Sequence, residues 1–353
     1  MNISNIKLIM SISYSIQQSQ GVKLRNILKK ATNEDKLEKS DILRLFKIKY
    51  AEDFMDLMQT AYNLRNSKNN SIKLTSTVHL TNICQVTPKC KYCGFAAKTS
   101  LGGYYYPFFK KDHEILDAVK CVEQSGIPRV SCSGAHGYNG AQATNAARIV
   151  KENTSLELLV NVGADLNRTA LKELSRYKTD TVCCNLETIN QKLFNELKPG
   201  EKLQDRVKVC EMVSNLGIEL SSGLLIGLGE SYQDRVNHLL FLKKFPHLGE
   251  IPIMGFNPYK NTPMENHPPC SLMEQMKTIA ITRLMFPDVR ITVPTPTIGP
   301  GNVKYSLIAG ADNIATVIPE NYPADVKGVG SPSYGNLKDV IGVVQELGLK
   351  LES

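Results

Sequence analysis

The chain has 353 residues, of which 42% are hydrophobic and 22% are charged, and its formal net charge is +8. This balance is that of an ordinary soluble globular protein, and the length allows two or three domains or one large α/β barrel. A basic excess can indicate a nucleic-acid partner, but lysine and arginine are spread among acidic residues, without a basic run of five or more. The excess is therefore interpreted as solvated surface, and no nucleic-acid partner is expected.

The first segment, residues 1–21, contains only a short apolar patch that Ser, Tyr and Gln interrupt. It resembles neither a signal peptide nor a membrane span, so we expect no membrane partner. The nine cysteines are an odd number with three of them clustered, unlike the framework of a secreted disulfide protein. The pattern favours a reducing cytoplasm.

Residues 1–75 are predicted to form a helical, polar N-terminal extension. Within this segment Phe54, Leu57, Met58 and Tyr62 recur at helical spacing, which indicates one buried helix face. The stretch SKNNS then interrupts the pattern and predicts a break.

From residue 76 to residue 353, strand-like segments alternate with helix-like ones. The eight strand candidates are STVHLTNIC, RVSCSG, LELLVNVG, TVCCNLE, IELSSGLLIGLG, EIPIMGFNP, VRITVP and NIATVIP, and a last helix, LKDVIGVVQELG, follows them. Alternating strands and helices predict βαβ units and a parallel sheet. Eight such units in about 280 residues predict an α/β fold of the closed (β/α)8 TIM-barrel type, whose chemistry lies at the carboxyl ends of the strands.

The stretch TNICQVTPKCKYCGF directly follows the first predicted strand and brings Cys84, Cys90 and Cys93 onto the catalytic rim. A structural zinc site needs four ligands and usually two CxxC pairs, whereas a redox CxxC pair would leave Cys84 unexplained. Three thiolates on one loop suit a 4Fe–4S cluster with one iron open to a small molecule. The spacing favours the cluster and leaves zinc or structural thiols as alternatives.

The sequence resembles the radical S-adenosylmethionine (SAM) superfamily, in the branch that contains biotin synthase, over about residues 40–320. CKYCGF is similar to the cluster loop of that family, with Tyr92 as the aromatic residue before the last ligand. SGLLIGLGES is similar to its GxIxGxxE strand, which carries over Gly223, Gly227 and Glu230, with Leu225 in place of Ile.

Two further motifs resemble the parts of the family that hold SAM. NLET is similar to the NxDT motif that binds the ribose, so that Asn185 and Glu187 carry this role, with Glu in place of Asp. LQDRV is similar to the helix whose arginine meets the SAM carboxylate, here Arg206. The resemblance implies a radical SAM enzyme with a 4Fe–4S cluster and SAM as cofactors, a small-molecule substrate, and a low-potential electron donor such as a ferredoxin or flavodoxin.

Other candidate residues lie at the ends of the predicted strands. Ser133 and Gly134 end the second strand, where backbone groups would meet the SAM amino group, and Phe256 ends the sixth, where it would pack on the adenine. His136 lies just beyond the second strand and is the candidate for substrate contact or proton transfer. The expected cofactor-binding residues are therefore Tyr92, Ser133, Gly134, Asn185, Glu187, Arg206, Gly223, Gly227 and Phe256.

The spacing of the cysteine loop, CX5CX2C, departs from the CX3CX2C that is common in the superfamily. It resembles the subfamily of the iron-guanylylpyridinol cofactor pathway, which serves the mono-iron hydrogenase of methanogens. That resemblance implies a role in building the pyridinol part of the cofactor. A related maturase, an amino-acid mutase such as methylornithine synthase, and a non-catalytic iron–sulfur carrier stay open as alternatives.

Biotin synthase holds a second cluster with three Cys and an Arg inside its barrel. Strand-by-strand alignment places Cys132, Leu159, Ser221 and Thr295 at those positions. Because one ligand of four survives, we expect no second cluster and no sulfur insertion. The remaining thiols are interpreted as core or incidental residues, with the caution that Cys183 and Cys184 are adjacent on one strand, so that one of them can face the barrel interior.

Overall fold

The computed structural model describes residues 22–68, 70–96, 107–320, 322 and 335–352. The described part of the extension is helical: α1 covers residues 22–32, α2 Lys39–Phe46 and α3 Ala51–Lys68. The predicted helix face is confirmed, because Phe54, Leu57 and Met58 are buried and Tyr62 packs against the same core.

The barrel wall is a closed ring of parallel strands. Its strands are β1 Ser71–Thr81, β2 Arg129–Gly134, β3 Glu157–Asn161, β4 Thr181–Cys183, β5 Glu219–Ser221, β6 Leu224–Ile226, β7 Leu248–Gly255, β8 Arg290–Pro294 and β9 Asn313–Ala315. β5 and β6 together occupy one position in the wall, because both pair with β7 and only Ser222 and Gly223 separate them. The ring closes where β9 pairs with β1, for example through Asn313 and Lys73. The predicted eight-stranded (β/α)8 barrel is therefore confirmed.

Helices cover the outside of this wall between successive strands. They are α4 Asp112–Gln124, α5 Ala141–Asn153, α6 Arg168–Arg176, α7 Gln191–Leu197, α8 Leu203–Asn215, α9 Tyr232–Leu242, α10 Leu272–Met285, α11 Thr295–Ile298, α12 Val303–Ile308 and α13 Leu337–Glu346, with 3-10 turns at Gly94–Ala96 and Pro300–Asn302. The short strands β10 Val317–Ile318 and β11 Gly335–Asn336 pair with each other, and β12 Lys350–Leu351 pairs with β1. Within the described ranges, no helix is both long and apolar enough to cross a membrane.

Alternation along each strand divides the side chains between a helix-facing core and the barrel interior. One row, paired in register across five strands, belongs to the main hydrophobic core: Val78, Cys132, Val160, Val182 and Leu220. The adjacent row faces the interior: His79, Ser133, Asn161, Cys183 and Ser221. Arg129 confirms this orientation, since it reaches across the barrel from β2 to hydrogen-bond Glu250 on β7.

Ion pairs fill the amino-terminal end of the barrel. Besides the contact of Arg129 with Glu250, Lys73 bonds to Glu157 at 2.7 Å and Arg290 bonds to Glu219 at 2.9 Å. Buried charges persist when they are paired and hydrogen-bonded. This layer closes the end of the barrel that lies away from the cysteine loop.

Two sequence predictions are corrected by the fold. β1 begins at Ser71, so residues 71–75, predicted to belong to the extension, are part of the barrel wall. Cys132, predicted to occupy a second-cluster ligand position, points into the helix-facing core and is fully buried. Cys183 is the member of the adjacent pair that faces the interior, whereas Cys184 belongs to the main core and its thiol donates to the Arg206 carbonyl on α8 at 3.6 Å.

Candidate functional site

The cysteine loop lies across the carboxyl end of the barrel and is held there by backbone contacts. The Gln85 N–H donates to the His136 carbonyl at 2.8 Å, and the Lys91 N–H donates to the Leu197 carbonyl at 2.8 Å. Gly200 allows the closest approach, because a Cβ there would lie 2.3 Å from the Pro88 carbonyl oxygen. The loop is thus seated between the ends of β2 and α7.

The three loop cysteines differ in exposure. Cys90 is buried, whereas Cys84 and Cys93 are partly exposed. Burial raises the pKa of the Cys90 thiol to about 12, although the nearby Lys198 ammonium opposes this shift, and Cys93 is close enough to act on the same thiol. Within the described ranges no three His, Cys, Asp or Glu side chains lie close enough to hold a single metal ion.

Arg206 on α8 is at the centre of the charged part of this site. Its side chain is 3% exposed, which excludes a solvated surface arginine. Its Nε donates to Oε2 of Glu201 at 2.9 Å, and its Nη2 lies 2.8 Å from the same oxygen. On the other edge, Nη1 donates to the Asn185 carbonyl and lies 3.5 Å from Oε1 of Glu187.

Glu201 is a member of the site that the sequence motifs missed. Burial alone would raise the pKa of this carboxyl, but Arg206, Lys198 and His136 together lower it to about 2. Its Oε1 also accepts a contact from the Cys90 thiol at 3.5 Å. Glu201 lies in the turn between α7 and α8, where no periodic pattern marks a residue as buried, so no sequence signal identified it.

Lys198, directly after α7, was also missed and is almost fully buried. Its Nζ lies 3.2 Å from Oε1 of Glu201 and 3.3 Å from Oε2 of Glu187. The same nitrogen donates to the Tyr92 hydroxyl at 3.2 Å. Burial opposes the charge, but the pKa of Lys198 is raised above its ordinary value by Glu187, Cys90 and Glu201, so the side chain is an ammonium ion.

Glu187 has a backbone conformation that is rare for a residue with a side chain. Its φ is +63°, in the left-handed region where such residues signal strain or function. The backbone is held there because its N–H donates to the Gly223 carbonyl at 3.0 Å and its carbonyl accepts from Leu225 at 3.0 Å. Within the described part of the chain, its Oε2 accepts no hydrogen bond, but the Lys198 ammonium lies 3.3 Å from this oxygen and forms an ion pair with it.

The predicted residues Asn185, Gly223 and Gly227 have partners within the protein. The Asn185 Oδ1 accepts from the Gly223 N–H at 3.0 Å. A Cβ on Gly223 would lie 1.9 Å from the Pro252 carbonyl oxygen, and one on Gly227 would lie 2.7 Å from Cβ of Cys270. Close packing of protein groups therefore accounts for both glycines without a ligand.

Glu230, the last residue of the GxIxGxxE-like strand, fixes the turn that follows β6. Its carboxylate accepts from the Gly227 N–H at 2.9 Å and from the Leu228 N–H at 2.8 Å. Arg235 on α9 donates to the same carboxylate at 2.8 Å. Glu230 thus shapes the rim and does not itself point at a ligand.

A small apolar cluster separate from the main core lies at this rim. It unites the predicted Tyr92 and Phe256 with Leu197 and Leu228. The rings of His267 and Phe256 form a T-shaped pair with a centroid distance of 5.2 Å. An apolar and aromatic surface next to polar groups is the kind of lining that takes a flat heterocycle.

His136 and the end of β2 complete the site. The His136 Nδ1 lies 3.7 Å from Oε1 of Glu201. The pKa of His136 is lowered to about 4, mainly by burial and secondly by the positive charge of Arg206. The ring is therefore neutral near pH 7. Ser133 faces the interior opposite His79 and Asn161, and Gly134 lies against the Gln142 side chain, 3.1 Å from a Cβ placed there.

Comparison with known proteins agrees with this geometry. Residues 78–242 match the family model described as the Radical SAM superfamily, and residues 252–317 match the Biotin and Thiamin Synthesis associated domain. The chain belongs to the radical SAM superfamily. It lies in the biotin synthase-like branch, since it is 30% identical over 224 residues to the biotin synthase of Thermotoga neapolitana, covering 62% of this chain and 78% of that one.

Other relatives agree in fold and extent. An uncharacterized protein of Methanocaldococcus jannaschii is 57% identical over 314 residues, which cover 89% of this chain and 84% of that protein. Methylornithine synthase superposes with a TM-score of 0.83 at 19% identity, covering 93% of this chain and 97% of that one. The hydrogenase maturase HydG of Carboxydothermus hydrogenoformans gives 0.81 at 17% identity, covering 98% of this chain and 83% of that one.

Membership in this superfamily implies a 4Fe–4S cluster and SAM, and the residues at the rim fit both. The cluster loop offers three thiols, the ligand type and number that such a cluster needs. The buried Arg206, the Glu187 carboxylate and the apolar cluster offer partners for a carboxylate, a hydroxyl and an aromatic ring, respectively. The chain is therefore a radical SAM enzyme.

Proposed function

We propose that this enzyme acts in biosynthesis of the iron-guanylylpyridinol cofactor of a mono-iron hydrogenase, on the pyridinol part. When bound, the cluster and SAM would supply a 5′-deoxyadenosyl radical that takes a hydrogen atom from the substrate. A ferredoxin or flavodoxin would supply the electron, and the reducing cytoplasm is the proposed compartment. The CX5CX2C spacing of Cys84, Cys90 and Cys93 supports the pathway.

The observation that carries the SAM-dependent part of the proposal is the pairing of Arg206 with Glu187 beside the cysteine loop. Arg206 would hold the SAM carboxylate, because its planar fork matches a carboxylate with two donors. Since Nε and Nη2 hold Glu201 in this structure, the SAM carboxylate would replace part of that contact. Glu187 would accept from a ribose hydroxyl, and Tyr92 and Phe256 would pack on the adenine. A non-catalytic cluster carrier has no use for this buried group of charges.

The interior row next to the site favours an uncharged substrate over an amino acid, since the charged groups pair with one another at the amino-terminal end of the barrel and at the rim. The row that faces the interior near the site contains Ser133, Asn161, Cys183 and Ser221, together with His79. Burial, assisted by Lys110, lowers the pKa of His79 to about 4, so this ring is neutral. An amino acid would call for charged partners for its carboxylate and ammonium groups, whereas a hydroxylated ring needs hydrogen bonds.

Two experiments test the proposal. Anaerobically reconstituted enzyme with a strong reductant should convert SAM to 5′-deoxyadenosine, and the Cys93→Ala protein should not. In a host that makes the mono-iron hydrogenase, deletion of the gene should abolish guanylylpyridinol in the metabolite extract, and the wild-type gene, but not the Cys93→Ala gene, should restore it. Normal guanylylpyridinol in the deletion strain would refute the pathway, and methylornithine formation by the enzyme would favour the mutase.

A further inference from the structure

Lys198 occupies a position where an unpaired lysine would be costly. Its side chain is 6% exposed, and lysines are almost never buried without partners. Two carboxylates hold it, Glu201 at 3.2 Å and Glu187 at 3.3 Å. Because Arg206 pairs with the same two carboxylates, the two cations and two anions balance each other when the cysteines are protonated.

Lys198 also contacts the cysteine loop directly. Its Nζ donates to the Tyr92 hydroxyl at 3.2 Å and lies 5.3 Å from the centre of the Tyr92 ring. Tyr92 immediately precedes Cys93, and the Glu201 carboxylate that holds Lys198 contacts Cys90 at 3.5 Å. Among the charged groups that act most on Cys90, Lys198 is the cation.

We propose that the Lys198 ammonium is a positioning residue that makes the cluster at Cys84, Cys90 and Cys93 easier to reduce. This inference rests on the proposed 4Fe–4S site. One-electron reduction by a low-potential donor adds one negative charge to the cluster, and a fixed positive charge nearby stabilises the reduced form. The effect is large here because water is excluded from Lys198, and charges interact more strongly in a poorly hydrated site. Neighbouring charges and hydrogen bonds are known to set the potentials of such clusters.

The test is a redox titration of the reconstituted protein without SAM, followed by electron paramagnetic resonance of the reduced cluster. Lys198→Met should move the midpoint potential to a more negative value. At the poise that half-reduces the wild type, the ratio of reduced to oxidised cluster should fall about tenfold, the order that one poorly screened charge produces. Lys198→Arg, which keeps the charge, should restore most of the potential.

Lys91→Met is the matched control. Lys91 lies on the cysteine loop between Cys90 and Cys93, but its side chain is 39% exposed and its partner Glu196 is 3.8 Å away. Removing this solvated charge should leave the potential unchanged, since exposed charges are screened. Tyr92→Phe removes the hydroxyl contact without removing a charge, and it should also stay near the wild-type potential.

The outcomes separate this inference from the proposed function. The proposal is wrong if Lys198→Met has the wild-type midpoint potential. It is also wrong if Tyr92→Phe shifts the potential as much as Lys198→Met does and Lys198→Arg does not restore the wild-type potential. If Lys198→Met binds no cluster, Lys198→Gln and Lys198→Arg decide between charge and folding by the same titration. Retention of full iron by the three Cys→Ala proteins would instead overturn the cluster assignment.

Discussion

Replacing Arg206 by lysine should weaken SAM binding without removing the cluster. The substitution keeps one positive charge near Glu201 and Glu187 but loses the planar fork that grips a carboxylate at two points. A charge-assisted hydrogen bond contributes about 1.5–3 kcal/mol, and each 1.4 kcal/mol corresponds to about tenfold in affinity. SAM affinity should therefore fall by about one to two decades.

Lysine is the informative replacement because the site is buried. Arg206→Ala would leave Glu201, which is 8% exposed, without its main partner, and breaking a buried ion pair costs about 3–5 kcal/mol of stability. Loss of SAM binding by that variant could reflect a disordered site. Arg206→Lys avoids this ambiguity, because its ammonium can still reach the carboxylates.

The assay is anaerobic equilibrium dialysis of labelled SAM against the reconstituted protein, with iron content measured on the same samples. Arg176→Lys is the control, because Arg176 is exposed at the end of α6 and such substitutions change stability by less than about 0.5 kcal/mol. Unchanged SAM affinity in Arg206→Lys and in Arg206→Ala would remove Arg206 from the site. It would also weaken the assignments of Asn185 and Glu187, which depend on the same alignment.

The remaining predictions concern the cluster, the barrel wall and pH. Alanine at any of the three loop cysteines should abolish most cluster absorbance and all SAM cleavage, and full iron content in Cys90→Ala would contradict the assignment. Reconstituted protein should hold about four irons per chain, as a single 4Fe–4S cluster does; a reproducible six to eight would reveal a second cluster. Gly223→Ala should lower the melting temperature, because the added Cβ would lie 1.9 Å from a backbone oxygen. Gly342→Ala is the control and should not lower it, because no atom lies within 4 Å of the added Cβ. Equal melting temperatures of the two variants would refute the prediction. Burial lowers the pKa of His238 to about 3, so the unfolded chain binds a proton at this residue below a pH of about 6.5, whereas the folded chain binds it only below a pH of about 3. The free energy of unfolding should therefore decrease as the pH falls between these two values, and it should decrease less steeply in His238→Gln. Unfolding measured as a function of pH tests this.

Much of the architecture could be predicted from local pattern. Strands and helices alternate with distinct periods, and the parallel barrel follows because eight such units can bury their apolar faces only by closing. The loop cysteines and Arg206 were found because they belong to short motifs whose spacing is visible in one dimension. The start of β1 was placed five residues late, at residue 76 instead of Ser71, although the break at SKNNS ends where the strand begins.

Orientation and partnership were decided by the tertiary structure. Cys132 and Cys183 are both strand cysteines in the sequence, but the register turns the first toward the helices and the second toward the interior, because a shift of one residue changes the face. Lys198 and Glu201 lie in a turn without periodicity, and they became site residues only when α7 and α8 brought them against Tyr92 and Cys90. Buried charges need partners, and where the partner is distant along the chain, as Glu250 is from Arg129, folding alone brings the two together.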